Sequence, residues 1–193
     1  MNLLFDWYTS DQHYGHTKIV DKCGRRFSSV EHMDSEMIRR YREVVRPGDR
    51  VAFLGDFSFS GPQRTVEIMS QLPGQKFLIR GNHDRMTTAL YQRAGFSLVV
   101  DQLRATIRGV ETILVHYHPI DFVSVPYDGR VKYLESLPLL GDRYACIHGH
   151  THSRKRTHRS AIHVGVDAWD FYPAPGGEVE RLVESMMAKE RMR

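Results

Sequence analysis

Five short apolar runs in this chain each lead into a side chain able to bind a metal, and no other feature limits the fold as strongly. Asp11 and His13 follow "LLFDWYT" (3–9) and Asp56 follows "RVAFL" (50–54). Asn82, His83 and Asp84 follow "KFLI" (76–79), and His116 and His118 come at the end of "ETILVHY" (111–117) and just after it. "YACI" (144–147) runs into "IHGHTH" (147–152), with His148, His150 and His152. In open α/β sheets ligands bind at the carboxyl ends of the strands. A chain that loads so many strand ends with carboxylate, amide and imidazole therefore brings them to one edge.

The spaces between these runs carry helical patterns. Residues 28–45 place Val30, Met33, Met37, Tyr41 and Val44 on one face, and Ser28 and Glu31 have capping-box spacing at its start. Pro47-Gly48 stops that helix. A second helix covers 61–72, with Pro62 in its first turn, and a short third covers 85–94. Later, "FSLVV" and "LRATI" precede 111–117 as consecutive strands, an irregular stretch spans 119–140, "AIHVGV" (161–166) is another strand, and a helix covers 178–187. Early βαβ alternation followed by hairpins predicts an α/β domain with central sheets and outer helices. At 193 residues the chain reads as one domain, 1–193, with no internal repeat.

The spacing of the polar residues carries chemistry. Asp11/His13 and His150/His152 are i, i+2 pairs, which in extended backbone point the same way. Gly55, Gly81 and Gly149 lie just before the polar residues, where a sharp turn or close backbone approach is needed. A donor set of carboxylate, amide oxygen and imidazole, with no thiolate, suits Mn²⁺, with Fe²⁺, Ni²⁺ and Zn²⁺ as alternatives, better than it suits a structural zinc. Seven such ligands exceed one tetrahedral ion. They suit two ions about 3.5–4 Å apart sharing a carboxylate, an arrangement that activates a shared water and clamps an in-line displacement at phosphorus.

Read in order, "DQH", "GD", "GNHD", "VHYHP" and "GHTH" resemble the motifs of the calcineurin-like metallophosphoesterases, and they span residues 11 to 152. The resemblance implies two packed mixed β-sheets flanked by helices. It implies one ion held by Asp11, His13, Asp56 and His152, and another held by Asp56, Asn82, His116 and His150, with Asp56 as the bridge. It gives His83 the role of general acid toward the leaving group and Asp84 that of orienting His83. "HYHP" offers His118 as an alternative to His116; His116 directly follows the apolar run and is preferred. "GVDAWDF" resembles a subgroup of small bacterial and phage phosphoesterases. "GDFSFSG" lacks the Asp and Arg of the G-D-x-x-D-R pattern, which counts against protein phosphatase activity.

The expected activity is hydrolysis of phosphate mono- or diesters, with a nucleotide or short nucleic acid as the substrate class. Arg25, Arg26 and Arg80 are candidate phosphate contacts, and Tyr127, Arg130 and Lys132 candidate pocket-wall residues. His148 reads as a satisfied core residue, His163 as a strand residue near the site, and "RKRTHR" (154–159) as a solvated loop. A net charge of +4 is compatible with a phosphorylated ligand without requiring one. The rival readings are a catalytically silent scaffold of the same fold, which would have lost ligands that this chain keeps, and an HD-type hydrolase, whose His-Asp pair sits on helices. Two cysteines, Cys23 and Cys146, cannot build a disulfide framework or a four-thiolate zinc site. With no signal-peptide pattern and no apolar run near the ~18 residues of a membrane span, a cytoplasmic protein with no membrane partner is expected.

Overall fold

The computed structural model describes residues 4–117, 144–158 and 160–191. His118 and the proposed wall residues Tyr127, Arg130 and Lys132 lie outside them.

The first half builds one sheet. Strands β1 (Trp7–Thr9), β2 (Arg50–Phe53), β3 (Gln75–Ile79) and β4 (Phe96–Val100) lie side by side in chain order, and all are parallel. Sequential parallel strands joined by crossovers of one hand place every connecting helix on the same face. Helices α1 (Ile19–Lys22), α2 (Val30–Val44), α3 (Pro62–Gln71) and α4 (Thr88–Ala94) form those connections. Met33, Met37 and Tyr41 of α2 and Ile68 and Met69 of α3 bury against Val51, Phe53 and Leu78 of the sheet. Beyond β1, strand β10 (Ala174–Pro175) adds one antiparallel edge, so the sheet is mixed.

A second mixed sheet follows, ordered β5 (Gln102–Ile107), β6 (Val110–Val115), β7 (Ala145–His148), β9 (Ala161–His163), β8 (Thr157–His158). Arg108 (φ 47°) and Gly109 (φ 77°) turn the β5–β6 hairpin, as a two-residue loop with both φ positive does. The core lies between the sheets: Tyr8, Ala52, Leu54 and Ile79 of the first meet Ile107, Leu114, Ile147 and Ile162 of the second. Helix α5 (Gly176–Arg191) closes this core with Val179 and Val183.

The expected elements recur, with differences at their ends. The cap of α2 is Ser29, not Ser28: the Ser29 hydroxyl accepts from the His32 amide at 3.1 Å. Helix α4 starts at Thr88, not at 85, because Thr87 caps it and the preceding residues form the loop that carries His83. Residues 157–158 of the basic run pair as an edge strand and are not a free loop. The Arg156 guanidinium lies 4.0 Å from the centre of the Trp169 ring and donates to the Ala168 carbonyl. Sequence periodicity did not reveal α1, β8 or β10, which are too short to carry a period.

One buried acid makes the fold pH-sensitive. Asp34 of α2 accepts the Gly15 amide at 3.1 Å, and burial pushes its carboxyl up to about 6. Between the unfolded carboxyl range and pH 6 the native state holds a proton that the unfolded chain has released, so this group's contribution to stability falls as pH rises through that window. Asp34→Asn keeps an acceptor for Gly15 and removes the charge. It is expected to raise the melting temperature at pH 7.5 by several degrees, from a gain of about 2 kcal/mol, and to match wild type near pH 4. Melting curves at the two pH values check this; an equal shift at both would contradict it.

Candidate metal centre

All five loaded strand ends meet at one edge of the two-sheet seam. β1 delivers Asp11 and His13, β2 delivers Asp56, and β3 delivers Asn82, His83 and Asp84. From the other sheet β6 delivers His116, and β7 runs through His148 to His150 and His152. The loops after β1 and β2 stay paired past the strands, with the amides of Asp11, His13 and Tyr14 donating to the carbonyls of Gly55, Asp56 and Phe57 at 3.0 Å each.

The backbone here is unusual. Asp11, His13, Asp56, His150 and His152 all have positive φ, between 49° and 69°, and they are five of the eight such non-glycine residues among those described. The i, i+2 pairs therefore do not aim their side chains through extended backbone, as the spacing suggested; each member sits in the left-handed region. Such residues cost about 1–3 kcal/mol each and persist where surrounding structure dictates them, commonly at functional sites. Gly81 shows why the spacing is tight: a Cβ there would stand 2.2 Å from the Asp56 Oδ1.

The ligand-competent atoms fall into two groups. Those of Asp11, His13 and His152 lie within 4.8 Å of one another, and so do those of Asp56, His116 and His150. Asn82 Oδ1 is 3.1 Å from His116 Nε2, which puts it with the second group. Asp56 Oδ2 lies between the groups, 3.5 Å from His13 Nε2 and 3.4 Å from His116 Nε2. Its other oxygen, Oδ1, accepts the His83 amide at 2.9 Å.

These residues fit divalent cations. Both ring nitrogens of His13 are buried without a hydrogen-bond partner, a costly state for an imidazole that no cation engages. Burial drives its pKa down to about 2 against the pull of Asp56, so the ring is neutral and its lone pair is free. Burial and the neighbouring His116 likewise lower His150 to about 4. Elsewhere an outer partner fixes the ring. His116 Nδ1 donates to the Leu54 carbonyl at 2.7 Å, leaving Nε2 toward Asp56. Burial works against the charged form of His116, yet the Asp56 carboxylate raises it to about 9. His152 Nδ1 pairs with Asp167 at 2.9 Å, leaving Nε2 toward Asp11. Despite burial, the bonds to Asp167 and the Cys23 thiol raise His152 to about 10. A carboxylate behind an imidazole is the usual way a metal-binding ring is oriented.

Several expected roles change. Asp84 does not orient the His83 ring. Its Oδ2 accepts the amides of Asp56 and Gly81 at 2.7 and 2.8 Å, and its Oδ1 accepts the Phe57 amide at 3.1 Å and the Tyr91 hydroxyl at 3.2 Å. It ties the Asp56 loop to the His83 loop instead. The His83 ring rests on Phe59, ring centres 4.5 Å apart, with Nε2 3.9 Å from Asp56 Oδ2. Arg25 is not placed for phosphate: its side chain is buried and donates to Asp167 and to the carbonyls of Asp11 and Gln12. Arg80 points into its own loop, donating to the carbonyls of Asp84 and Met86 and to the Thr88 hydroxyl. His148 is buried with Nδ1 toward the Gly149 carbonyl, and its ring centre lies 5.2 Å from that of His163. Sequence reading missed Asp167, Tyr91 and Phe59. The signal for Asp167 was present, since it follows "AIHVGV" as the other site residues follow their strands.

Two mixed sheets with flanking helices, and carboxylate and imidazole groups gathered at their seam, define a metallophosphoesterase-type fold and centre. The calcineurin-like phosphoesterase superfamily domain matches residues 8–173, and the chain belongs to that superfamily. It is 30% identical to the gene 66 protein of Mycobacterium phage D29, over 93% of this chain and 96% of the phage protein. It is 28% identical to an uncharacterised protein of Methanocaldococcus jannaschii, over 95% and 94% of the two chains. Among solved structures, a protein of unknown function from Aquifex aeolicus superposes with a TM-score of 0.69 at 23% identity, covering 91% of this chain and 97% of the other. No helix among the described residues is long and apolar enough to cross a membrane.

Proposed function

We propose that the protein is a dinuclear metal-dependent phosphoesterase that hydrolyses phosphate mono- or diesters, with a nucleotide or short nucleic acid as substrate. The reading rests above all on Asp56 Oδ2, which stands within 3.5 Å of an imidazole of each ligand group and so can serve both. Asp11, His13, Asp56 and His152 would hold one cation; Asp56, Asn82, His116 and His150 would hold the other. Mn²⁺ suits this oxygen- and nitrogen-rich set, with Fe²⁺, Ni²⁺ and Zn²⁺ as alternatives. Two such cations would act as Lewis acids on the phosphoryl oxygens and ease the deprotonation of a water they share.

The chain's own groups supply the rest. His83 is half-buried at the mouth of the site, and its amide is anchored to Asp56. Burial lowers its pKa while Asp56 opposes the shift. A negatively charged ester beside it raises the pKa again, so the ring is protonated together with substrate arrival and can pass that proton to the departing oxygen. Asp84 and Tyr91 hold the loop that presents it.

The test is hydrolysis of p-nitrophenyl phosphate beside bis-p-nitrophenyl phosphate, with chelator-stripped protein and Mn²⁺ restored. Metal-dependent turnover is expected, and the preferred compound decides between monoester and diester. His83→Ala should retain metal and lose about 100-fold in turnover, most for poor leaving groups. Loss of metal in that variant would contradict its role as acid.

A further inference from the structure

Phe59 is 44% exposed, one of three large hydrophobic side chains so exposed among the described residues, and it stands at the metal centre. Its ring centre is 4.5 Å from that of His83, 4.0 Å from that of His16 and 5.4 Å from that of His13. It is not a loose side chain. The Phe59 amide donates to the Tyr14 carbonyl at 2.9 Å, and the Tyr14 amide donates to the Phe57 carbonyl at 3.0 Å, so the paired loops fix the backbone at Phe59 and just before it.

An exposed phenyl ring forgoes burial that the core would reward. Here it carries a consequence for substrate choice, given the reading of His83 as the acid. The oxygen that takes the proton from His83 must sit beside that ring, and the group attached to that oxygen must then extend past His83. Phe59, 44% exposed, stands on that side of His83 with His16 against it. We propose that Phe59, backed by His16, is a stacking platform for a planar ring carried by the leaving group, so that the site selects phosphate esters of nucleosides or aryl alcohols over esters of plain aliphatic alcohols. Every nucleobase has a π face, so a platform of this kind favours a ring without choosing among bases.

The matched probes are adenosine 5′-monophosphate and ribose 5-phosphate, which both release a primary alcohol on P–O cleavage; phenyl phosphate separates an aryl preference from a nucleoside one. Wild type should prefer the nucleotide at least tenfold in kcat/KM, about 1.4 kcal/mol, mainly through KM. Phe59→Ala should bring that ratio near one, Phe59→Leu should do the same, and Phe59→Trp should keep it, all with metal content unchanged. An unchanged ratio in Phe59→Ala overturns the proposal, as does an equal fall for both substrates, which would mean that Phe59 only props His83. If metal-loaded wild type hydrolyses no ester, the hydrolase reading fails by itself. Calorimetric affinities of the two probes then decide the platform: a base-dependent gain lost in Phe59→Ala sustains it, and equal affinities for wild type overturn it.

Discussion

Asp56→Asn should cost about 1000-fold in turnover and release bound metal. Among the described residues the Asp56 carboxylate is the group placed between both ligand sets, and its Oδ1 also anchors the amide of His83. Asparagine keeps the shape and one carbonyl oxygen but removes the negative charge that neighbouring cations need. A loss of several kcal/mol of transition-state stabilisation corresponds to about three powers of ten. Metal content by elemental analysis and steady-state turnover check the two halves of the expectation separately. Wild-type turnover with one ion retained would show that the carboxylate is not shared.

The second large effect is expected at Asp84, a residue that belongs to neither ligand group. Asp84→Ala leaves the buried amides of Asp56 and Phe57, the part-buried amide of Gly81 and the Tyr91 hydroxyl without their acceptor. Each unsatisfied buried donor costs about 1–3 kcal/mol, so a loss of about 4 kcal/mol and a melting temperature lower by about 10 °C are expected. Asp84→Asn should rescue little, because one oxygen cannot replace two and the new NH₂ would face donors. A thermal melt of both variants checks this. If instead Asp84→Asn melted like wild type and only hydrolysis slowed, Asp84 would be acting through His83 after all.

The sequence made the site legible because strand ends are easy to mark: an apolar run followed by Asp, Asn or His is local information. Local information also found α2, whose buried face recurs from Met33 to Tyr41, and α3, which Pro62 opens. The sequence did not expose what depends on contacts across the chain. Asp167 meets Arg25 and His152, separated from them by 142 and 15 residues. Asp84 looked like a partner for its neighbour His83, yet its acceptors are filled by amides brought in from the Asp56 loop. Arg25, beside Arg26, looked available to phosphate, and only its burial against Asp167 says otherwise. The left-handed backbone at Asp11 and His150 was hidden because short polar residues reach that region from many sequences, and nothing in an i, i+2 spacing distinguishes it from extended chain.

Each ligand group draws on both sheets: Asp11 and His13 with His152, and Asp56 with His116 and His150. An ion in either group therefore joins the two halves of the core across the same seam that Tyr8, Leu54, Leu114 and Ile147 fill from within. Occupancy then becomes a property of the whole fold, with ligand at a hundred times its dissociation constant adding about 2.7 kcal/mol to stability. Melting temperature against added metal would thus report affinity in a protein that turns nothing over, including variants with a silenced acid.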